Sequence, residues 1–181
     1  MLYVIAKYKE DVSWCNKLQN KIVYDKSDGS MPNVGREAST YLRYIIDHYD
    51  NLPSHVVFLQ GNPFDHVSIP IDFTATPQVD YCKPFFKDLN TEPVDYYQGL
   101  HIREYFMQIF GKPPPNILDV SYGAQYIVPK MCILQHPIEF YKKLLSMLKN
   151  DSYEHAHYYN TYDPESLNAW TMERLWYYIF T

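Results

Sequence analysis

Gln60, Asn62, Asp65 and His66 are the most concentrated group of chemistry-bearing side chains in the sequence, and they follow directly on Val56-Val57-Phe58-Leu59. Two amides, a carboxylate and an imidazole in so short a span can hydrogen-bond a polar ligand, ligate a divalent cation or exchange a proton. The four apolar residues, closed by Gly61 and Pro63, read as a fully buried strand of a largely parallel sheet. In α/β proteins the C-terminal ends of such strands are where ligands bind. The polar quartet therefore leaves the sheet at the place where chemistry is expected.

A second candidate group lies upstream. Met31 to Glu37 precedes the best amphipathic helix in the chain, about 36–50, whose apolar stripe is Tyr41, Leu42, Ile45, Ile46 and Tyr49. Its start at Gly35 and Arg36 combines free amides with a guanidinium, a combination that suits an anionic group such as a diphosphate. A glycine before a helix also serves purely steric ends. His155-Ala156-His157 places two imidazoles on one side of an extended segment, as metal ligands or as surface residues of a polar loop. Glu173 and Arg174 either reach a ligand pocket or form a structural ion pair on their helix.

The elements that must position these groups are legible in order. Leu2 to Ala6 is a first strand and Lys7 to Asp11 the loop at its C-terminal end, where Asp11 caps a short helix through Trp14 and Leu18. Ile22 to Tyr24 is a second strand, followed by the polar turn Asp25 to Gly29. Ser68 to Pro93 lacks periodicity and reads as a long surface excursion, a binding loop or lid. A helix is expected over 98–110, stopped by Gly111 and three prolines. The chain then returns to extended structure over 117–128. Pro137 opens a helix with the stripe Phe140, Tyr141, Leu144, Leu145 and Leu148, and Asp163-Pro164-Glu165 caps a C-terminal helix carrying Ala169, Met172, Leu175, Trp176 and Ile179.

Composition bounds the function. The chain has 181 residues, 46% of them hydrophobic, and is expected to form one domain over 1–181. A net charge of -5 without any Lys/Arg run lacks the footprint of a nucleic-acid binder. Nineteen Tyr suit a wet, sugar-like or planar ligand, or serve simply as half-buried aromatics. Cys15, Cys82 and Cys132 form no disulfide framework or zinc pattern and suit a reducing compartment. No run approaches the about 20 apolar residues of a membrane span, so a cytoplasmic location is expected. Gly-x-Ser-x-Gly, Walker A, Cys-His nucleophile and His-Glu-x-x-His patterns are all missing from the sequence.

The landmarks Lys7 to Trp14, Pro32-Asn33-Val34-Gly35-Arg36-Glu37-Ala38, Val57 to Gly61, Tyr122-Gly123-Ala124-Gln125-Tyr126 and Glu173 to Phe180 together resemble the uncharacterised family DUF3431, which is itself similar to GT-A-fold glycosyltransferases. The resemblance implies an α/β domain with a mostly parallel sheet flanked by helices. It also implies a nucleotide-diphosphate sugar donor, a glycan or protein acceptor, and a divalent cation, Mn2+ or Mg2+. Carried over residue by residue, Tyr8 and Asp11 would hold the nucleoside, Asn33, Gly35 and Arg36 the phosphates, and Gln60 and Asn62 the sugar. Asp65 or Glu173 would be the catalytic base. Gln60-Gly61-Asn62 stands where such enzymes carry the metal-binding Asp-x-Asp, leaving Asp65 and His66, or His155 and His157, as alternative metal ligands. The competing expectations are a nucleotide- or sugar-binding module that kept the fold without turnover, and a hydrolase built on Asp65, His66 and the histidine pair.

Overall fold

The computed structural model describes residues 1–66, 80–85, 89–149 and 161–181. Its element order is β1 (Leu2–Lys7), β2 (Lys21–Asp25), α1 (Arg36–His48), β3 (His55–Gln60), β4 (Lys83–Pro84), β5 (Asn90–Pro93), α2 (Ile102–Phe110), β6 (Ile117–Val120), β7 (Tyr126–Pro129), α3 (Lys130–Leu134), α4 (Ile138–Met147) and α5 (Ala169–Phe180). The main sheet has the order β2-β1-β3-β7-β4, and β5 and β6 form a separate antiparallel pair.

The sheet is mixed, not mostly parallel. β1 pairs in parallel with both β2 and β3, whereas β7 runs antiparallel to β3 and to β4. The buried apolar run of β7 satisfies either direction, so periodicity left its orientation open. The parallel part behaves as expected: Val56, Val57, Phe58 and Leu59 are all fully buried. Alternation then divides the strands between two faces. Val4, Ala6, Val56 and Phe58 pack with Tyr41, Leu42 and Ile45 of α1 and with Trp176 and Phe180 of α5. Tyr3, Ile5, Val57 and Leu59 pack instead with Cys15 and Leu18, and Val12 and Trp14 lie against them. On this second face the short helix expected after Asp11 is a five-residue 3-10 turn, Ser13–Lys17.

Other boundaries moved for local reasons. The helix expected over 98–110 is interrupted at His101, whose φ of 49° separates a 3-10 turn from α2, and it stops at Gly111 with φ 68°. The extended stretch 117–128 is two strands in different sheets, parted by a turn in which Gly123 and Ala124 have φ of 88° and 48°. The C-terminal helix is capped by Asn168, not Asp163: the Asn168 side chain accepts from the Thr171 N–H at 2.9 Å, while Asp163 takes the Glu165 N–H in a turn of its own. Within the stretch read as a surface excursion, β4 and β5 join the two sheets; residues 67–79 and 86–88 lie outside the described set. No helix among the described residues is long and apolar enough to cross a membrane.

Burial of Leu59 at the centre of the second face makes it the simplest probe of this arrangement. Leu59→Ala is expected to destabilise the protein by about 2–5 kcal/mol in urea unfolding, through lost transfer free energy plus a cavity. Asn168→Ala, which deletes only the cap of α5, is expected to cost about 1 kcal/mol.

Candidate functional site

At the end of β1 the chain turns sharply, and the Glu10 carboxylate folds back to accept the N–H groups of Tyr8 and Lys9 at 2.7 and 3.0 Å. Partial burial works against ionisation of Glu10, but those amides and the nearby Lys26 charge hold its carboxyl below the ordinary value. Gly61, which follows β3, lies so close that a Cβ there would stand 2.7 Å from a Glu10 oxygen and 3.0 Å from the Ala6 carbonyl. Only glycine lets the two strand ends approach in this way. The Trp14 indole N–H donates to the Gly61 carbonyl at 2.8 Å and fixes the turn from the other side.

The third wall is the first turn of α1. Gly35 and Arg36 both take the left-handed conformation, with φ of 59° and 49°. A Cβ on Gly35 would meet the Leu148 side chain at 2.8 Å, so this residue is glycine both for its φ and for its packing. Lys26, which follows β2 and is only 4% exposed, donates to the Arg36 carbonyl and, at 3.4 Å, to Ser39 Oγ. Burial lowers its pKa, opposed by the charges of Glu37 and Glu10.

Between these walls lies a cleft of about 400 Å3, lined by Lys7, Tyr8, Glu10, Lys26, Asn33, Arg36, Glu37, Gln60, Asn62 and Asp65 among others. A second cleft of about 280 Å3 adjoins it and shares Arg36, Glu37 and Gln60. Its remaining wall is Tyr97, Tyr122, Gly123, Ala169, Trp170, Glu173 and Arg174. The Arg36 guanidinium lies over the Trp170 ring at 4.1 Å. Arg174 is buried and donates to Glu92 at 2.9 Å and to Glu173 at 2.8 Å; Tyr122 donates to the other Glu92 oxygen at 2.6 Å. Glu173 also accepts the Gly123 N–H at 2.6 Å. A buried guanidinium satisfied by two carboxylates gives this wall a fixed shape.

Glu37 sits where the two clefts meet. Burial pushes its carboxyl up to about 7; its own backbone N–H opposes the rise, the Glu173 carboxylate adds to it, and Arg36 and Lys26 oppose it. A carboxyl that titrates near neutrality can carry a proton in either direction at physiological pH.

Of the residues singled out from sequence, Tyr8, Asn33, Arg36, Gln60, Asn62 and Asp65 are gathered in the first cleft and Glu173 in the second. Gly35 shapes the helix start without lining either cleft. Asp11 also lines neither, and its carboxylate accepts the N–H and hydroxyl of Ser13 at 2.8 and 3.0 Å. Asp65 accepts from the Asn62 amide at 2.6 Å, and Phe64 N–H donates back to Asn62, so this pair forms a small turn at the cleft rim. The His66 side chain, His155 and His157 lie outside the described set. Among the described residues, no group of three or more His, Cys, Asp or Glu could hold a metal ion.

Sequence reasoning passed over Glu37 and Lys26. Glu37 looks like an ordinary acidic residue in a first helical turn, and Lys26 sits in a polar turn that reads as solvated. Nothing local marks Lys26 as buried or the Glu37 carboxyl as desolvated.

Fold and site together define a mixed α/β protein with a two-chambered polar cleft at the edge where its parallel strands end. The chain belongs to the family DUF3431, described as a protein of unknown function, which it matches over residues 3–80 and 74–181. No curated protein and no solved structure matches the chain.

The pH dependence of stability tests the environment of Glu37. Its carboxyl has an ordinary value of 4.5 in the unfolded chain and about 7 in the fold, so between those values the folded state keeps a proton that the unfolded state has released. Stability from this group is therefore present at low pH and lost progressively as pH rises through the window. Glu37→Gln is expected to remove that slope from the urea midpoint measured between about pH 4.5 and 7. An identical slope in the variant would return the carboxyl to an ordinary, solvated setting.

Proposed function

We propose that the protein is a glycosyltransferase that takes a nucleotide-diphosphate sugar in the first cleft and an acceptor hydroxyl in the second. The observation that carries this reading is the meeting of the two clefts at Arg36, Glu37 and Gln60, with a carboxyl poised near neutrality on the shared wall. A transfer reaction needs two substrates side by side and a proton acceptor between them. The first cleft, at about 400 Å3, falls within the about 300–1,000 Å3 typical of small-molecule sites. Its cations Lys7, Lys26 and Arg36 suit phosphate, and Tyr8 and Asn33 offer a ring and an amide for the nucleoside. Gln60 and Asn62 supply neutral hydrogen-bonding groups for the sugar hydroxyls.

In this scheme the acceptor oxygen attacks the anomeric carbon of the donor as the bond from that carbon to the diphosphate oxygen breaks. The bonding pair leaves with the nucleoside diphosphate. The acceptor's hydroxyl proton passes to the Glu37 carboxylate, and Arg36 stabilises the charge that grows on the leaving group. Glu173, with both oxygens already engaged, orients the acceptor wall and is replaced by Glu37 as the candidate base. A binding module without turnover is the second reading. It draws on the Asp65 carboxylate, the only one within five residues of Gln60, being held by Asn62.

Incubation with a panel of nucleotide sugars, read by calorimetry and by release of nucleoside diphosphate, tests the proposal. Binding with slow hydrolysis or transfer is the expected result, and no binding of any nucleotide sugar would overturn it. Arg36→Ala is expected to weaken binding by about 1.5–3 kcal/mol while the protein stays folded. Glu37→Gln should bind the donor and lower kcat by about 10²–10⁴. Binding without turnover by the unaltered protein would select the second reading.

A further inference from the structure

Lys26 is a buried ammonium whose hydrogen-bond partners are both neutral oxygens, the Arg36 carbonyl and Ser39 Oγ. No carboxylate among the described residues forms an ion pair with it; Glu10 and Glu37 act on it only from a distance. A buried charge without a countercharge is costly in a folded protein and is retained where something supplies the opposite charge. Lys26 lines the first cleft together with Arg36. An ammonium carries three donors, and the two oxygens account for two of them.

The carboxylates around the same cleft are poorly suited to a metal ion. The Glu10 carboxylate is held by two backbone amides and Asp65 by Asn62, which leaves Glu37 as a single carboxylate, and the end of β3 offers Gln60 and Asn62, which bring no charge to a hard cation. Among the described residues the donor set therefore does not fit the divalent cation implied by the GT-A resemblance. The cation set fits the anion directly.

We propose that this protein holds the diphosphate of its ligand with Lys26 and Arg36 in place of a divalent metal ion. The inference rests on the nucleotide-sugar reading of the first cleft and adds to it the way in which the leaving group is neutralised. The anion supplies the countercharge that Lys26 lacks, and Arg36, whose carbonyl Lys26 holds, meets it from the cleft wall. The departing diphosphate then leaves with its bonding pair stabilised by two fixed cations.

Calorimetry with UDP and with GDP, in EDTA and again in Mn2+, tests this on the full chain. The expected result is a dissociation constant for one of them that changes less than about twofold between the two buffers. In EDTA, Lys26→Met should weaken it by about ten- to a hundredfold, the scale of a lost charged hydrogen bond. Methionine matches the lysine stem in a buried site, so the variant should stay folded, with its unfolding temperature lowered only by the lost bond to the Arg36 carbonyl. If it does not fold, Lys26→Gln keeps a donor without the charge and should show the same loss. Binding that appears only with Mn2+ would overturn the inference while leaving the nucleotide-sugar reading intact. Binding in EDTA that Lys26→Met leaves unchanged would overturn it as well. No binding of either nucleotide in either buffer would overturn the inference for uridine and guanosine donors, and only the same result across the nucleotide-sugar panel would remove the donor reading on which it rests.

Discussion

Helix α5 is fixed against α1 by aromatic contact, and the geometry of the cleft depends on that contact. The Trp176 ring lies 5.8 Å from Tyr41 and stacks at 5.3 Å on Phe180, which in turn lies parallel to Phe58 of β3 at 6.1 Å. All four rings are fully buried. Such pairs contribute about 0.5–1.5 kcal/mol beyond their area, and their close packing leaves little freedom to slide. Glu37 lies one helical turn before Tyr41, and Glu173 lies three residues before Trp176. The ring contact therefore sets how near the two carboxylates stand, and with it part of the upward pull on Glu37. Core packing and proton chemistry are here consequences of one interface.

The first turn of α1 is the other fixed point. A non-glycine residue in the left-handed region costs about 1–2 kcal/mol, and Arg36 is such a residue. Its carbonyl is held by the Lys26 ammonium, which offsets part of that strain. The unusual turn brings the Arg36 guanidinium over Trp170 while Glu37, the next residue, lies at the junction of the clefts. Arg36 and Glu37 each line both clefts, so one turn of backbone serves both chambers.

The parallel half of the fold was legible because its signals are local. Val56 to Leu59 is an apolar run ended by Gly and Pro, the α1 stripe has helical spacing, and the polar quartet after β3 falls where strand ends collect ligands. Gln60, Asn62 and Asp65, chosen on those grounds, do line the first cleft, as do Arg36, chosen for the helix start, and Tyr8 and Asn33, which the family resemblance pointed to. What escaped depends on the third dimension. β4 is two residues, Lys83 and Pro84, and exists only because β7 is there to pair with it. Asn168 caps α5 where Asp163 and Pro164 offered a stronger motif, because the tighter Asp163 turn claimed that carboxylate first. Lys26 owes its character to burial and Glu37 to desolvation of its carboxyl where the clefts meet, and neither leaves a trace in spacing or type.

The inversion of β7 changes what arrives at the functional edge. A parallel strand beside β3 would have ended there; the antiparallel one begins there, so the turn that feeds it is delivered to the site. Gln125, immediately before β7, accepts the Gln60 N–H at 3.4 Å and donates to the Pro63 carbonyl at 3.2 Å, tying that turn to the end of β3. Tyr122 and Gly123 from the same turn then form part of the second cleft, and the left-handed φ of Gly123 and Ala124 makes the reversal tight enough to place the Gly123 N–H on Glu173. The first chamber is thus built by strands that end at the edge and the second by a strand that starts there. A purely parallel sheet would have supplied the first chamber and left no turn at this place to wall the second.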